Sequence, residues 1–132
     1  RQAKLWRLSN EETRRISAAV DHWPVIVNAG SRQWSSVQPI LIDRDIDCVI
    51  EVAAAIAAAQ GTDPSGVELC REAMDRPEEV LDPPPLIDGD SLRAAGYRPG
   101  PKFRDWLRAA RVAQLDGEIA TESEALELVS RL

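Results

Sequence analysis

With one histidine in 132 residues, the chain lacks the second imidazole that a metallohydrolase centre would need and offers little for a nucleophile triad. His22 follows Asp21, the reverse of the His-Asp order of metal motifs, and reads as a helix-end residue favoured by the dipole. No Gly-rich loop of Walker type occurs, so no phosphate-cradling NTPase site is indicated. The two cysteines, Cys48 and Cys70, form no C-x-x-C pair and lie in apolar helical patterns; they read as reduced core thiols and not as zinc ligands. No apolar run approaches the ~18 residues of a membrane helix, because residues 49–59 are alanine-rich and interrupted by Glu51. A soluble, cytoplasmic chain follows. With neither an initiating methionine nor a signal-peptide pattern, it reads as part of something longer.

What is present is enough for one domain. At this length roughly two-thirds of the unfolded surface can be buried without staples. Period-2 alternation is absent apart from residues 24–27, so the class is all-α: a compact array of about six or seven helices with short loops. Ser9-Asn10-Glu11-Glu12 is a capping box opening a helix with an inward stripe of Thr13, Ile16 and Val20, which should stop before Pro24. A short apolar helix containing Pro39 fits residues 34–41. Residues 45–60 form a helix with Val49, Val52, Ala53 and Ile56 on one face, Asp43 or Asp45 at its N-cap and Gly61 beyond its end. Asp63-Pro64 restarts a helix carrying Val67, Cys70 and Met74.

Asp82-Pro83-Pro84-Pro85 cannot sustain helical hydrogen bonding and makes the one Pro-rich connector, dividing a helical body (1–82) from tail helices (83–132). Beyond it, Asp88 or Asp90 caps a short helix ended by Gly96. Pro99 or Pro101 starts a long helix running to Asp116 and Gly117, and Thr121-Glu122-Ser123-Glu124 is a second capping box. The four tryptophans, Trp6, Trp23, Trp34 and Trp106, are the large core or interface residues.

A net charge of -6 argues against a nucleic-acid partner, yet the charge is segregated. Residues 36–90 carry three basic and thirteen acidic groups, whereas 91–111 carry six basic and one acidic. On a helical wheel Arg104, Arg108 and Arg111 share a stripe at i, i+4 and i+7, beside an apolar side of Phe103, Trp106, Leu107 and Ala110. Such a stripe either is solvated and pairs with the acidic segments or meets an external anion, and the arginine fork suits phosphate. The amides opening the Pro-Gly-Pro-initiated helix add an anion site near Arg98 and Lys102. Tyr97, the only tyrosine, either stacks on an unpaired base or fills a gap under the turn.

Gly30-Ser31 followed by Asp45-Ile46-Asp47 is similar to the nucleotidyltransferase core signature, a Gly-Ser turn for triphosphate and two strand carboxylates for Mg²⁺. Here the two carboxylates run into an alanine-rich helix, where i and i+2 point to different sides. The flanking strands of a catalytic sheet are lacking too, so this chain is read as non-catalytic.

The last third carries a second likeness. Gly89-Asp90-Ser91-Leu92, then Gly96-Tyr97-Arg98-Pro99-Gly100-Pro101, then Ala113-Gln114-Leu115-Asp116-Gly117-Glu118-Ile119 and finally Thr121 with Glu124-Ala125-Leu126 resemble the C-terminal region of class II tRNA nucleotidyltransferases and the related bacterial poly(A) polymerases. A weaker echo runs upstream through Leu5-Trp6-Arg7-Leu8-Ser9-Asn10-Glu11, residues 34–42 and Val67-Glu68-Leu69-Cys70. The resemblance implies a helical body and tail whose partner is RNA, tRNA in the first place, held by Arg93, Tyr97, Arg98, Lys102, Arg104, Arg108 and Arg111. It implies no cofactor in this part of the chain; Mg²⁺ and ATP or CTP belong to an N-terminal catalytic head that the sequence lacks. The alternative, from another class, is a helical interaction or dimerisation module, a homo-oligomer in which the acidic middle of one copy pairs with the basic stripe of another.

Overall fold

A computed structural model describes residues 9–132, which fold as helices joined by short loops. In chain order they are α1 (Asn10–Val27), a 3₁₀ turn (Ala29–Ser31), α2 (Trp34–Leu41), α3 (Ile46–Gln60), α4 (Ser65–Met74), α5 (Glu78–Leu81), α6 (Gly89–Ala94), α7 (Lys102–Leu115) and α8 (Glu122–Ser130). The described residues contain no strand, and the all-α class holds. Trp6 and the Leu5-Trp6-Arg7-Leu8 part of the upstream echo lie outside the described residues.

The helix ends follow local chemistry. Ser9 Oγ accepts the Glu12 amide at 3.0 Å, the Asp88 carboxylate accepts the Ser91 amide at 2.8 Å, and Thr121 Oγ1 accepts the Glu124 amide at 3.2 Å. The short turn α5 adds one element to those expected from the sequence.

α1 departs from expectation in length and in face. It continues through Pro24 to Val27, so His22 sits inside the helix and not at its end, and the strand-like residues 24–27 are its last turn. Pro24 has no N–H to donate to the preceding turn, but its own carbonyl accepts both the Asn28 backbone amide (3.1 Å) and Asn28 Nδ2 (2.8 Å). Continuation carries Ile26 into full burial, a gain of roughly 1.5–3 kcal/mol for such a side chain. The buried positions are Ala19 and Ile26, with Trp23 packed against the same core, whereas Thr13 is exposed and Ile16 and Val20 remain 48% and 61% exposed. The face is turned because α1 lies along α3, and small residues allow that approach. On α3 the buried set is Ile46, Val49, Ile50, Ala53 and Ala57, with Val52 and Ile56 at its margin.

Two apolar clusters result. The first gathers Ile26, Val37, Leu41, Val49, Ala53, Val67 and Cys70 from α1 to α4. Burial pushes the Cys70 thiol up to about 11, as expected of a neutral core group, while Cys48 is half-buried; both are free. The second gathers Ile87, Leu92, Ala110, Ala125 and Val129, with Tyr97, Phe103 and Trp106 packed around them.

Polar contacts join the clusters across the proline connector. The Ser35 amide and hydroxyl donate to the two Asp116 carboxylate oxygens at 2.9 and 2.8 Å, tying α2 to the end of α7. Within the first cluster, Gln38, 1% exposed, donates to the Leu81 carbonyl at 3.1 Å and so holds the chain just before the connector.

Candidate nucleic-acid interface

The basic segment is built by glycine-terminated turns on either side of α7. Gly96 (φ 99°) ends the α6 turn and Gly117 (φ 78°) ends α7, both in the left-handed region where a side chain is strained. Between them Pro101 occupies the N-cap of α7, and the Phe103 amide already bonds back to the Gly100 carbonyl at 3.1 Å. The apolar side of α7 is the one the wheel assigns: Phe103, Trp106, Leu107 and Ala110 all belong to the second cluster.

The seven residues proposed from sequence separate into two groups. Arg98, Lys102, Arg104 and Arg108 are exposed, and none forms an ion pair with a carboxylate among the described residues. They follow one another along the turn and the first half of α7. The other three are engaged within the fold. Arg93 donates to Asp90 at 2.7 Å, one helical turn away. Tyr97 is half-buried, its ring 5.2 Å from that of Trp106 at 59°, so it fills the space under the turn.

Arg111 corrects the idea of a continuous stripe of three arginines. Its side chain is 25% exposed and donates to the Pro83 carbonyl (2.7 Å), to Asp82 Oδ1 (2.8 Å) and to Gln114 Oε1 (3.0 Å). The physical reason lies in the connector. Three successive prolines supply carbonyls but no donors, so their acceptors need partners from outside, and Arg111 and Gln114, whose Nε2 donates to the Pro84 carbonyl at 2.9 Å, meet that need.

The second sequence signal comes apart as well. Asp45 occupies the N-cap position of α3 without capping it; Asp43 instead accepts the Asp45 amide at 2.9 Å. The Asp45 carboxylate, 6% exposed, is held by Arg14 in a two-pronged contact, Nε to Oδ2 at 3.0 Å and Nη2 to Oδ1 at 3.1 Å. That hydrogen-bonded guanidinium holds the Asp45 carboxyl below the usual carboxylate range and raises Arg14 in turn. Asp47 is exposed in the first turn of α3, and Gly30 and Ser31 line a different cleft from the one that Asp45 and Asp47 border. The Arg14–Asp45 pair spans 31 positions and no local pattern announces it.

No protein-family model, curated protein or solved structure matches the chain. The geometry of its own residues therefore carries the functional argument.

Proposed function

We propose that this chain is the RNA-positioning helical region of an enzyme that adds nucleotides to RNA 3′ ends, of the tRNA nucleotidyltransferase and bacterial poly(A) polymerase kind. The observation that supports it is the run of exposed cations Arg98, Lys102, Arg104 and Arg108, without an ion-pair partner among the described residues, in the segment that carries the resemblance. In this reading phosphoryl transfer, with its Mg²⁺ and ATP or CTP, belongs to a separate head, and the present chain contributes grip and orientation. Cations held on a rigid helix beside a well-packed aromatic cluster meet a phosphodiester backbone without reorganising. The acidic segment 36–90 repels phosphate and so disfavours contact along that part of the chain.

The test is tRNA affinity as a function of salt for the wild type, for the quadruple alanine variant of Arg98, Lys102, Arg104 and Arg108, and for Arg111→Ala. The quadruple variant is expected to bind more weakly and to lower the slope of log affinity against log salt by roughly 0.7–0.9 per lost phosphate contact. Arg111→Ala is expected to lower stability more than affinity. Equal affinity and slope in wild type and quadruple variant would sink the proposal. A second reading, a helical interaction module, is favoured by one feature: Ile16 and Val20 leave an apolar strip exposed on α1. A dimer in sedimentation that persists in high salt, is lost on Ile16→Ser, Val20→Ser and is indifferent to tRNA would support it instead.

A further inference from the structure

A cleft of about 620 Å³ opens where the C-terminal ends of α1 and α3 meet the start of α4, on the side of the molecule built by the first cluster. Its size suits a nucleoside-sized ligand. The half-buried indole of Trp23 supplies a flat wall, and Asn28, Gln60, Thr62 and Asp63 supply the polar lining.

The chemistry of that lining is selective. No lysine or arginine lines the cleft, and Asp63 places a carboxylate in it. At the one helix N-terminus nearby, the Ser65 amide already donates to Asp63 Oδ1 at 2.9 Å, which places a carboxylate there. Two helix C-terminal ends add negative potential. A phosphate is therefore disfavoured. Among the acceptors that remain are Asn28 Oδ1, since Asn28 turns its Nδ2 to the Pro24 carbonyl, and Asp63 Oδ2, while the Gln60 carboxamide, without a partner among the described residues, offers an acceptor and a donor. An aromatic wall with such acceptors matches a planar, uncharged ring bearing an amino group.

The walls are held in place by a close contact. Gly66, in the first turn of α4, packs so tightly on the end of α1 that a Cβ there would overlap the carbonyl oxygens of Val27 and Ile26. That contact sets α4 against the end of α1 next to Val27 and Ser65 of the cleft wall, so the groups are arranged before any ligand arrives.

We propose that this cleft receives one unpaired, amino-bearing nucleobase of the RNA substrate, stacked on Trp23 with its amino edge toward Asp63 and Asn28. The proposal rests on the RNA reading above and extends it to a second contact, one that reads a base where the α7 cations read phosphate.

The experiment uses the ¹⁵N-labelled chain and follows the Trp23 indole N–H and the Gln60 and Asn28 side-chain amides during titration with cytidine, uridine, methyl glucoside and tRNA. Cytidine and tRNA are expected to shift these signals. Uridine, which offers a carbonyl where cytidine offers an amine, is expected to bind about tenfold more weakly. Two variants keep the test independent of folding. Gly30 lines the cleft and a Cβ there meets nothing within 4 Å, so Gly30→Leu adds bulk at the cleft wall from an unobstructed position; exposed Gln60→Ala removes a polar wall. Both are expected to weaken cytidine binding severalfold at unchanged thermal stability. The proposal is overturned if cytidine leaves Trp23 unmoved, if methyl glucoside shifts it instead, if Gly30→Leu responds as the wild type does, or if cytidine binds while tRNA leaves the cleft signals in place. Failure here with the salt-dependent tRNA affinity of the α7 cations intact would remove the cleft alone. Cytidine binding at Trp23 without any α7-dependent tRNA affinity would remove the RNA reading.

Discussion

Asp45 illustrates how a residue's neighbours, and not its sequence context, decide what it does. Its position just before an alanine-rich helix suggests a cap or a metal ligand, yet a guanidinium from α1 occupies both carboxylate oxygens. Since the hydrogen bond from Arg14 lowers the folded-state pKa, the folded protein binds fewer protons than the unfolded chain near the ordinary carboxylate value of about 3.9. The stabilisation is thus fully present above that value and is lost as pH falls through the lowered one. Asp88, held down mainly by the Ser91 amide, adds in the same direction. Asp45→Asn is expected to lower the urea midpoint at neutral pH, and the gap from the wild type should close on acidification below about pH 4. A gap that persists unchanged into strong acid would show that the pair contributes through packing and not through charge. Cys70 acts at the other extreme: with its thiol raised to about 11, it favours the fold below the ordinary thiol range and loses that contribution as pH climbs toward 11.

At the scale of the helix, most boundaries were readable because they depend on groups within a turn of one another. Ser9, Asp88 and Thr121 cap where their side chains reach the next free amide, and Gly61, Gly96 and Gly117 end helices where the backbone turns left-handed. Which face points inward is a different matter. The stripe Thr13, Ile16, Val20 is as good a helical pattern as the true one, and only the partner helix selects Ala19 and Ile26. Pro24 misled for the same reason: its local cost is outweighed by what Ile26 gains in the core and by the two hydrogen bonds from Asn28. The α1–α4 crossing depends on Gly66 in a way no turn propensity reveals, since its φ is ordinary and only the neighbouring carbonyls exclude a Cβ. Gly66→Ala is expected to cost about 3 kcal/mol in chemical denaturation, because backbone on backbone cannot relax as a side chain would. A loss well under 1 kcal/mol would mean that the two helices slide apart freely.

Across the whole molecule, the candidate RNA face was legible as charge but not as division of labour. The count of cations in residues 91–111 is a property of the sequence, whereas the diversion of Arg111 to the connector depends on Asp82, 29 positions away, and on carbonyls that three prolines leave without internal partners. That diversion bears on how the two clusters hold together. The second cluster draws on residues 86–129 alone, a size at which an isolated core is marginal, so its stability leans on its contacts with the first. The contacts that anchor it are Arg111 with Pro83 and Asp82 and Gln114 with Pro84, all on the connector, and Asp116 with Ser35 of α2. Removing Arg111 leaves the Pro83 carbonyl unpaired as well as breaking an ion pair, a loss of about 2 kcal/mol, and removing Asp116 frees the start of α2 from the end of α7. The combined Arg111→Ala, Asp116→Ala variant is therefore expected to raise amide exchange across α6, α7 and α8 by at least tenfold while α1, α3 and α4 keep their protection. Exchange accelerated to the same degree in both clusters would mean that they unfold as one unit and that the clamp is dispensable to their union. If the tail loosens alone, the α7 cations are carried on a segment whose rigidity is set by its grip on the proline connector, and under the proposed RNA reading substitutions at Arg111 should weaken tRNA binding only under conditions in which α7 is already exchanging.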